Sequence, residues 1–387
     1  MEQAFAALGD EPMDADLAEL AAQVGFCYTL KGDMAMAGAR IESALTAAEA
    51  LELPAVISDA LVNKGFILQM QGRYVEGLAL IKEALDVALK HDLSYLTSRA
   101  LANLAEMLRH VDRYAEALDY DRQGLALARK TGLRRWELNH LGEMSWTLLM
   151  QGEWDEALDR TQELTEYSDP GSSHHQVLLE VAIARGDIAG AEEVLSRATV
   201  LEASPDLQNR GLHGLCAAEV LAAQGRHAEA LEISQRSFEA VRGLGLNTQY
   251  SKALLVQSME SAAQLGDLQR VEEIINLLES KPRGSVGPFL RGQVARFRAR
   301  LHSARLEDSN VEPAFQRASA VFREIHAVFW LAVVLLEHGE WLVSKGRSQE
   351  AAALLDEARP TFERLRATRW LQRLRSASGS AAELALA

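Results

Sequence analysis

Apolar side chains recur along this chain at intervals of three and four positions, in long runs broken by short polar signals, which is the pattern of amphipathic helices packed along one stripe. The stripe repeats with a small residue at its centre: Leu61, Gly65 and Leu68, then Leu101, Ala105 and Leu108, then Leu141, Ser145 and Leu148. A small side chain there admits a neighbouring helix closely. The breaks centre on Gly32, Gly72, Asp112, Gly152, Gly186, Gly225, Gly266 and Gly346, with steps of 40, 40, 40, 34, 39, 41 and 80 residues. The last step is two periods, so a turn without glycine is expected between Leu306 and Val311. Glycine accepts the left-handed backbone that ends a helix, and aspartate is among the few other residues that tolerate it. After each break come a large residue and then a small one, as in Tyr74 and Gly77, Tyr114 and Ala117, Trp154 and Ala157, Ile188 and Ala191, or His227 and Ala230. These predict the seam of a second helix against the first. An all-α chain of about nine helix pairs follows.

Two segments depart from the period. Asp169-Pro170-Gly171-Ser172-Ser173 reads as a helix-breaking linker, and residues 280–288 hold Pro282, Gly284, Gly287 and Pro288. Stacked repeats are stabilised by burial between neighbours, so residues 1–387 are expected to form one continuous array with soft breaks at 168–173 and 280–288. Residues 4–9 read as the end of a second helix whose partner is missing, or as a short cap.

With 387 residues, 48% of them hydrophobic, the chain has ample core material, so disorder is not the default. The formal net charge of −15 disfavours nucleic acid as a direct partner. Cys27 and Cys216 have no metal-ligand spacing, and the start of the chain lacks a basic segment followed by an apolar run. A reduced, cytoplasmic protein with no membrane span is expected. The common phosphate-loop, dinucleotide and zinc-protease signatures are absent, so neither a cofactor nor a metal is expected, and no catalytic residue stands out. His174-His175 is read as the solvent-facing start of a helix. A segment containing Lys281, Arg283, Arg291, Arg296, Arg298, Arg300 and Arg305 without an intervening carboxylate is either a dock for an acidic partner or a face neutralised by acidic neighbours.

Asn63-Lys64-Gly65, Gly72-Arg73-Tyr74, Gly77 and Ala84 resemble the tetratricopeptide consensus, and the match recurs in nearly every unit. The resemblance implies a right-handed α-solenoid that binds partners and is not an enzyme. The longer, 40-residue variant, with the closing stretch from Phe329-Trp330 to Trp370-Leu371, resembles the C-terminal arms of bacterial LuxR-type signalling ATPases of the maltose-activator kind and of ATPase-linked adenylate cyclases. That narrower resemblance implies an alternative, the regulatory arm of a transcriptional regulator or nucleotide cyclase whose output domain is separate.

In tetratricopeptide arrays the first helices line the concave face. Positions two, five and nine after the Leu61-type residue lie roughly 140–200° from the packing stripe. They form a row of Gln23, Asn63, Asn103 and Glu143, a mainly aromatic row of Phe26, Phe66, Glu106 and Trp146, and a third containing Met70 and His110. Amides suit an extended peptide backbone, and the aromatics offer apolar pockets. The expected partner is therefore a protein or peptide, with a small signal molecule as a further candidate. The alternative is that the aromatics pack between adjacent first helices as core.

Overall fold

A computed structural model describes residues 14–31, 33–165 and 174–386; the expectations for residues 4–9, for the turn at Gly32 and for the linker at 169–173 lie outside the described residues. Nineteen α-helices occur among the described residues, with three short 3-10 turns and no strand. The first helices are α1 (Ala15–Lys31), α3 (Pro54–Met70), α5 (Ser94–His110), α7 (Arg134–Gln151), α9 (His174–Arg185), α11 (Leu207–Ala223), α13 (Gln249–Gln264), α15 (Pro288–Ala304) and α17 (Val328–Ser344). Their partners are α2 (Met34–Ala50), α4 (Tyr74–Lys90), α6 (Tyr114–Thr131), α8 (Trp154–Thr165), α10 (Ile188–Arg197), α12 (His227–Val241), α14 (Leu268–Glu279), α16 (Asp308–Glu324) and α18 (Ser348–Leu365). One further helix, α19 (Thr368–Leu386), follows. The chain is thus an all-α, tetratricopeptide-like α-solenoid, with nine helix pairs among the described residues.

The turn signals act through two of their residues. Gly72, Gly152, Gly186, Gly225, Gly266 and Gly346 have φ between +72° and +82°. At six of the turns the residue after the glycine starts the second helix in one of two ways. Asp33, Asp187 and Asp267 accept from the backbone N–H of Met36, Gly190 and Arg270, whereas Arg73, Arg226 and Arg347 pair with the carboxylates of Glu76, Glu229 and Glu350, three residues on. Both devices place negative charge in the first helical turn, where the helix dipole favours it. The turn expected between Leu306 and Val311 is centred on Leu306, which takes φ +61° with 80% of its surface exposed. The links from second to first helices also use left-handed residues, among them Glu52, Asp92, His326 and Arg366. Most carry no glycine and so gave no signal.

Two compact units result. The first comprises the described residues up to Val111 together with Ala115–Leu141; the second comprises Asp112–Tyr114 and the chain from Gly142 onward. In the first, Val62, Ile81, Leu85, Leu101, Leu104 and Leu108 form the centre of one buried cluster. Gly65 and Gly77 allow α3 and α4 to meet backbone to backbone, since a Cβ on Gly77 would lie 2.8 Å from the Gly65 carbonyl oxygen. Deeper still, Asp121 is wholly buried, taking a hydrogen bond from Arg109 Nη1 at 2.6 Å and lying 2.9 Å from His140 Nδ1.

The second unit returns on itself. Trp154 at the start of α8 meets Phe329 of α17 with ring centroids 5.1 Å apart. Arg364 Nη1 donates to the Gly152 carbonyl at 2.8 Å and Arg185 Nε to the Leu365 carbonyl at 3.2 Å, while Arg366 pairs with Asp155. Asp112 makes a second long-range tie. Its carboxylate is buried, pairs with the buried ammonium of Lys252, and accepts from Tyr114 Oη at 2.8 Å and from the Phe289 backbone N–H at 2.7 Å. Burial lowers the Lys252 pKa against the opposing pull of Asp112, and raises that of Tyr114 well above its usual value.

Candidate functional site

The first helices of the first unit enclose a groove of ≈ 630 Å³ across α1, α3, α5 and the start of α7. Its walls reflect the 40-residue step. Glu19, Asp59 and Arg99 form one row, Val56, Leu96 and Trp136 a second, and Ala55, Tyr95 and Arg135 a third. Gln23, Phe26 and Asn103 also line it.

Arg99 organises the middle. Its guanidinium pairs with Asp59, donates to Asn63 Oδ1 at 2.6 Å and lies 5.5 Å from the centroid of the Phe26 ring. Asn63 is only 2% exposed, so its amide serves the wall rather than the opening. Asn103 Nδ2 donates to the Arg99 carbonyl at 2.8 Å and Gln23 Nε2 to Glu19 Oε1 at 3.1 Å. Each amide of the predicted row thus bonds to the residue four positions before it, one helical turn back. The apolar part is more open: Phe26 is 37% exposed and Tyr95 49%. Tyr95 stands edge-on to Trp136 at 5.8 Å, and the Trp136 indole Nε1 is buried without a hydrogen-bond partner.

The other predicted residues are dispersed. Phe66, Met70 and Glu106 are half-buried on α3 and α5. His110 is buried, with Nδ1 2.6 Å from Gln69 Nε2 and Nε2 3.9 Å from Glu106. Glu143 and Trp146 belong to the second unit, where Glu143 is half-buried and Trp146 is buried edge-on against Tyr114 at 5.8 Å. Trp146 is therefore buried, against the start of a second helix rather than between two first helices. Arg99, Asp59, Tyr95 and Trp136 escaped the sequence reading. Extending the same 40-residue count toward the helix N-termini, by one turn for Asp59 and Arg99 and by two for Tyr95 and Trp136, would have found them.

In the second unit the row through Phe26 and Phe66 continues as Glu180, Glu219, Glu260, Arg300 and Glu340 on consecutive first helices. Glu260 is compensated: burial alone would raise its pKa, but Arg296 and Arg300 hold it at about 2. Arg296 is itself fully buried, bidentate on Glu337 at 2.6 and 2.7 Å and stacked near Phe297 and Trp330. Four of the seven basic residues of that segment, Arg296, Arg298, Arg300 and Arg305, are thereby paired with carboxylates, Arg298 and Arg305 binding Glu279 and Glu272, while Arg291 donates to the Val286 carbonyl. For those four the structure gives the neutralised reading.

Glu180 and Glu219 have no such cation. Burial lifts Glu180 to about 7 despite the hydrogen bond from Gln176 Nε2 at 2.6 Å, and burial followed by the Glu180 charge lifts Glu219 well above the carboxylate range. A carboxyl whose folded pKa exceeds its unfolded value of about 4.3 binds extra protons in the native state, so stability is fully present below that value and declines as pH rises to about 7. We expect thermal midpoints to fall over that window and level off above it. Glu180→Gln should remove most of the decline and stabilise the chain at pH 8 by on the order of 1–3 kcal/mol; a scan of melting temperature against pH on both proteins checks this.

His174 and His175 differ from expectation. Both are buried, with rings 4.0 Å apart, because the start of α9 is packed inside the second unit rather than turned to solvent. Among the described residues no group of three or more His, Cys, Asp or Glu could hold a metal ion, and no helix is long and apolar enough to cross a membrane.

Comparison with known proteins agrees with this architecture. The tetratricopeptide repeat family matches residues 56–130 and 96–167, and again 212–236. No curated protein matches the chain in sequence. Among solved structures, NprR in complex with its cognate peptide NprX is similar at 14% identity over 84% of this chain and 91% of that one, with a TM-score of 0.56. A Rap protein complexed with Competence and Sporulation Factor is similar at 16% identity over 84% and 99%, with a TM-score of 0.50. A signal transduction ATPase with a tetratricopeptide repeat sensor, from Pyrococcus horikoshii, matches at 15% identity over 80% of this chain and 47% of that one, with a TM-score of 0.42.

Proposed function

Taking tetratricopeptide repeats along the chain as the premise, we propose that this protein is a non-enzymatic binding scaffold or sensor that holds an extended peptide segment in the groove of its first unit. The observation that carries the reading is the groove itself, in which half-exposed Phe26 and Tyr95 flank amide and charged side chains on successive first helices. Such a surface pairs apolar anchors with backbone hydrogen-bonding groups, the combination that recognises an extended chain. Two proteins of similar fold have been solved with a peptide or signalling factor bound, which supports the reading.

The test is peptide retention by the intact chain, compared with Phe26→Ala and Tyr95→Ala variants. Truncating an exposed aromatic anchor should weaken binding about 10- to 100-fold while leaving helicity unchanged. Equal retention by wild type and both variants would remove the groove from consideration. Asn63→Ala is a poorer probe, because the buried Asn63 amide oxygen accepts from Arg99 inside the wall and its loss would disturb the wall itself.

A further inference from the structure

Resting on that reading, we infer that the groove is polar along its length and takes a short peptide with free ends, its ammonium terminus over α1 at Glu19 and its carboxylate terminus over α7 at Arg135. The four charged residues lining the groove are Glu19, Asp59, Arg99 and Arg135, two of each sign, and they are ordered from acid on α1 to base on α7. The central two neutralise each other as an ion pair. The outer two do not: among the described residues Glu19 receives only the neutral amide of Gln23, and Arg135 has no carboxylate partner.

Among the arginines of the first unit Arg135 stands apart in this. Arg73, Arg99, Arg109, Arg129 and Arg134 of the same unit all pair with a carboxylate. An exposed arginine at a groove end is a donor fork suited to a carboxylate, and an exposed glutamate at the opposite end suits an ammonium. A peptide with free ends carries both charges at the two extremes of its length. A loop on a folded protein surface carries neither.

The distance sets the size. Packed helices lie about 8–10 Å apart, so three steps from α1 to α7 span at most about 30 Å. An extended chain advances about 3.3 Å per residue, which limits the occupant to about nine residues. The half-exposed rings of Phe26 and Tyr95 place apolar side-chain contacts between the two ends.

The experiment uses the full chain and four synthetic pools of randomised peptides about nine residues long: free at both ends, acetylated only, amidated only, and capped at both ends, with retained peptides counted by mass spectrometry. A charge-assisted hydrogen bond at each terminus predicts that each cap lowers retention about tenfold or more. Arg135→Glu should abolish sensitivity to the amide cap alone, and Glu19→Lys sensitivity to the acetyl cap alone; circular dichroism verifies that both variants remain helical. Equal retention of free and capped pools, still lost in Phe26→Ala, would overturn the polarity while leaving the peptide groove standing. Reversed cap assignments would overturn the stated direction. Retention of no pool would overturn both readings.

Discussion

Asp112→Gly is expected to destabilise the protein by about 3–5 kcal/mol, although it restores the glycine found at the other turns. Glycine would relieve the left-handed backbone at this position, where φ is +62°, a gain of about 1–2 kcal/mol. The loss is larger. Lys252 is almost wholly buried and pairs with Asp112, so the substitution removes a buried counter-charge from a place where burial already lowers the ammonium's pKa. The hydrogen bonds from Tyr114 Oη and Phe289 N–H disappear as well. Denaturant unfolding followed by circular dichroism measures the change, and Lys252→Met in the Asp112→Gly background should recover most of it. If Asp112→Gly instead raises stability, the buried pair contributes less than the backbone strain and its role as a tie is wrong.

The second large effect concerns two glycines that the sequence treats alike. Gly152 and Gly225 have φ of +79° and +80° and the same place in their repeats. A methyl group at Gly225 meets nothing within 4 Å, so Gly225→Ala should cost only the left-handed penalty of about 1–2 kcal/mol. At Gly152 the added Cβ would fall deep inside the contact distance of Val328 Cγ2, with Arg364 Nη2 at 3.3 Å. Overpacking adds about 1–3 kcal/mol, so Gly152→Ala should cost about 2–5 kcal/mol in all. Paired melts of the two variants decide the point. Equal losses would mean that the contact with α17 yields freely.

This comparison marks what the sequence made legible. Period, helix pairing and turn positions follow from local chemistry: small residues at Gly65 and Ala105, left-handed glycines and the residues that cap the next helix. They also placed the turn at Leu306 in the right interval. The rows opposite the packing stripe located Gln23, Phe26 and Asn103 on the groove, because helical geometry alone fixes which side chains share a face. Geometry of one helix says nothing about reach between repeats. Arg99 crosses from α5 to Asp59 and Asn63 on α3, and Trp146 turns inward onto Tyr114, because neighbouring side chains compete for the same space. Contacts such as Lys252 with Asp112, 140 positions apart, leave no periodic trace.

The return of the second unit onto itself alters how that part of the array stores its stability. Helical repeats ordinarily behave as a line of units coupled only to their neighbours, so an end can fray while the middle persists. Here α8 and the close of α9 lean on α17, α18 and α19, about two hundred residues later, through Trp154 on Phe329, Arg364 on Gly152 and Arg185 on Leu365. Loosening the last helices therefore exposes apolar surface on the first ones, and melting from either end must undo both at once. Closing so long a loop also makes its formation a late and slow event in folding, because the chain between must be ordered before the contact contributes. The second unit should consequently unfold as a single block with a high kinetic barrier, where an open stack of the same helices would peel.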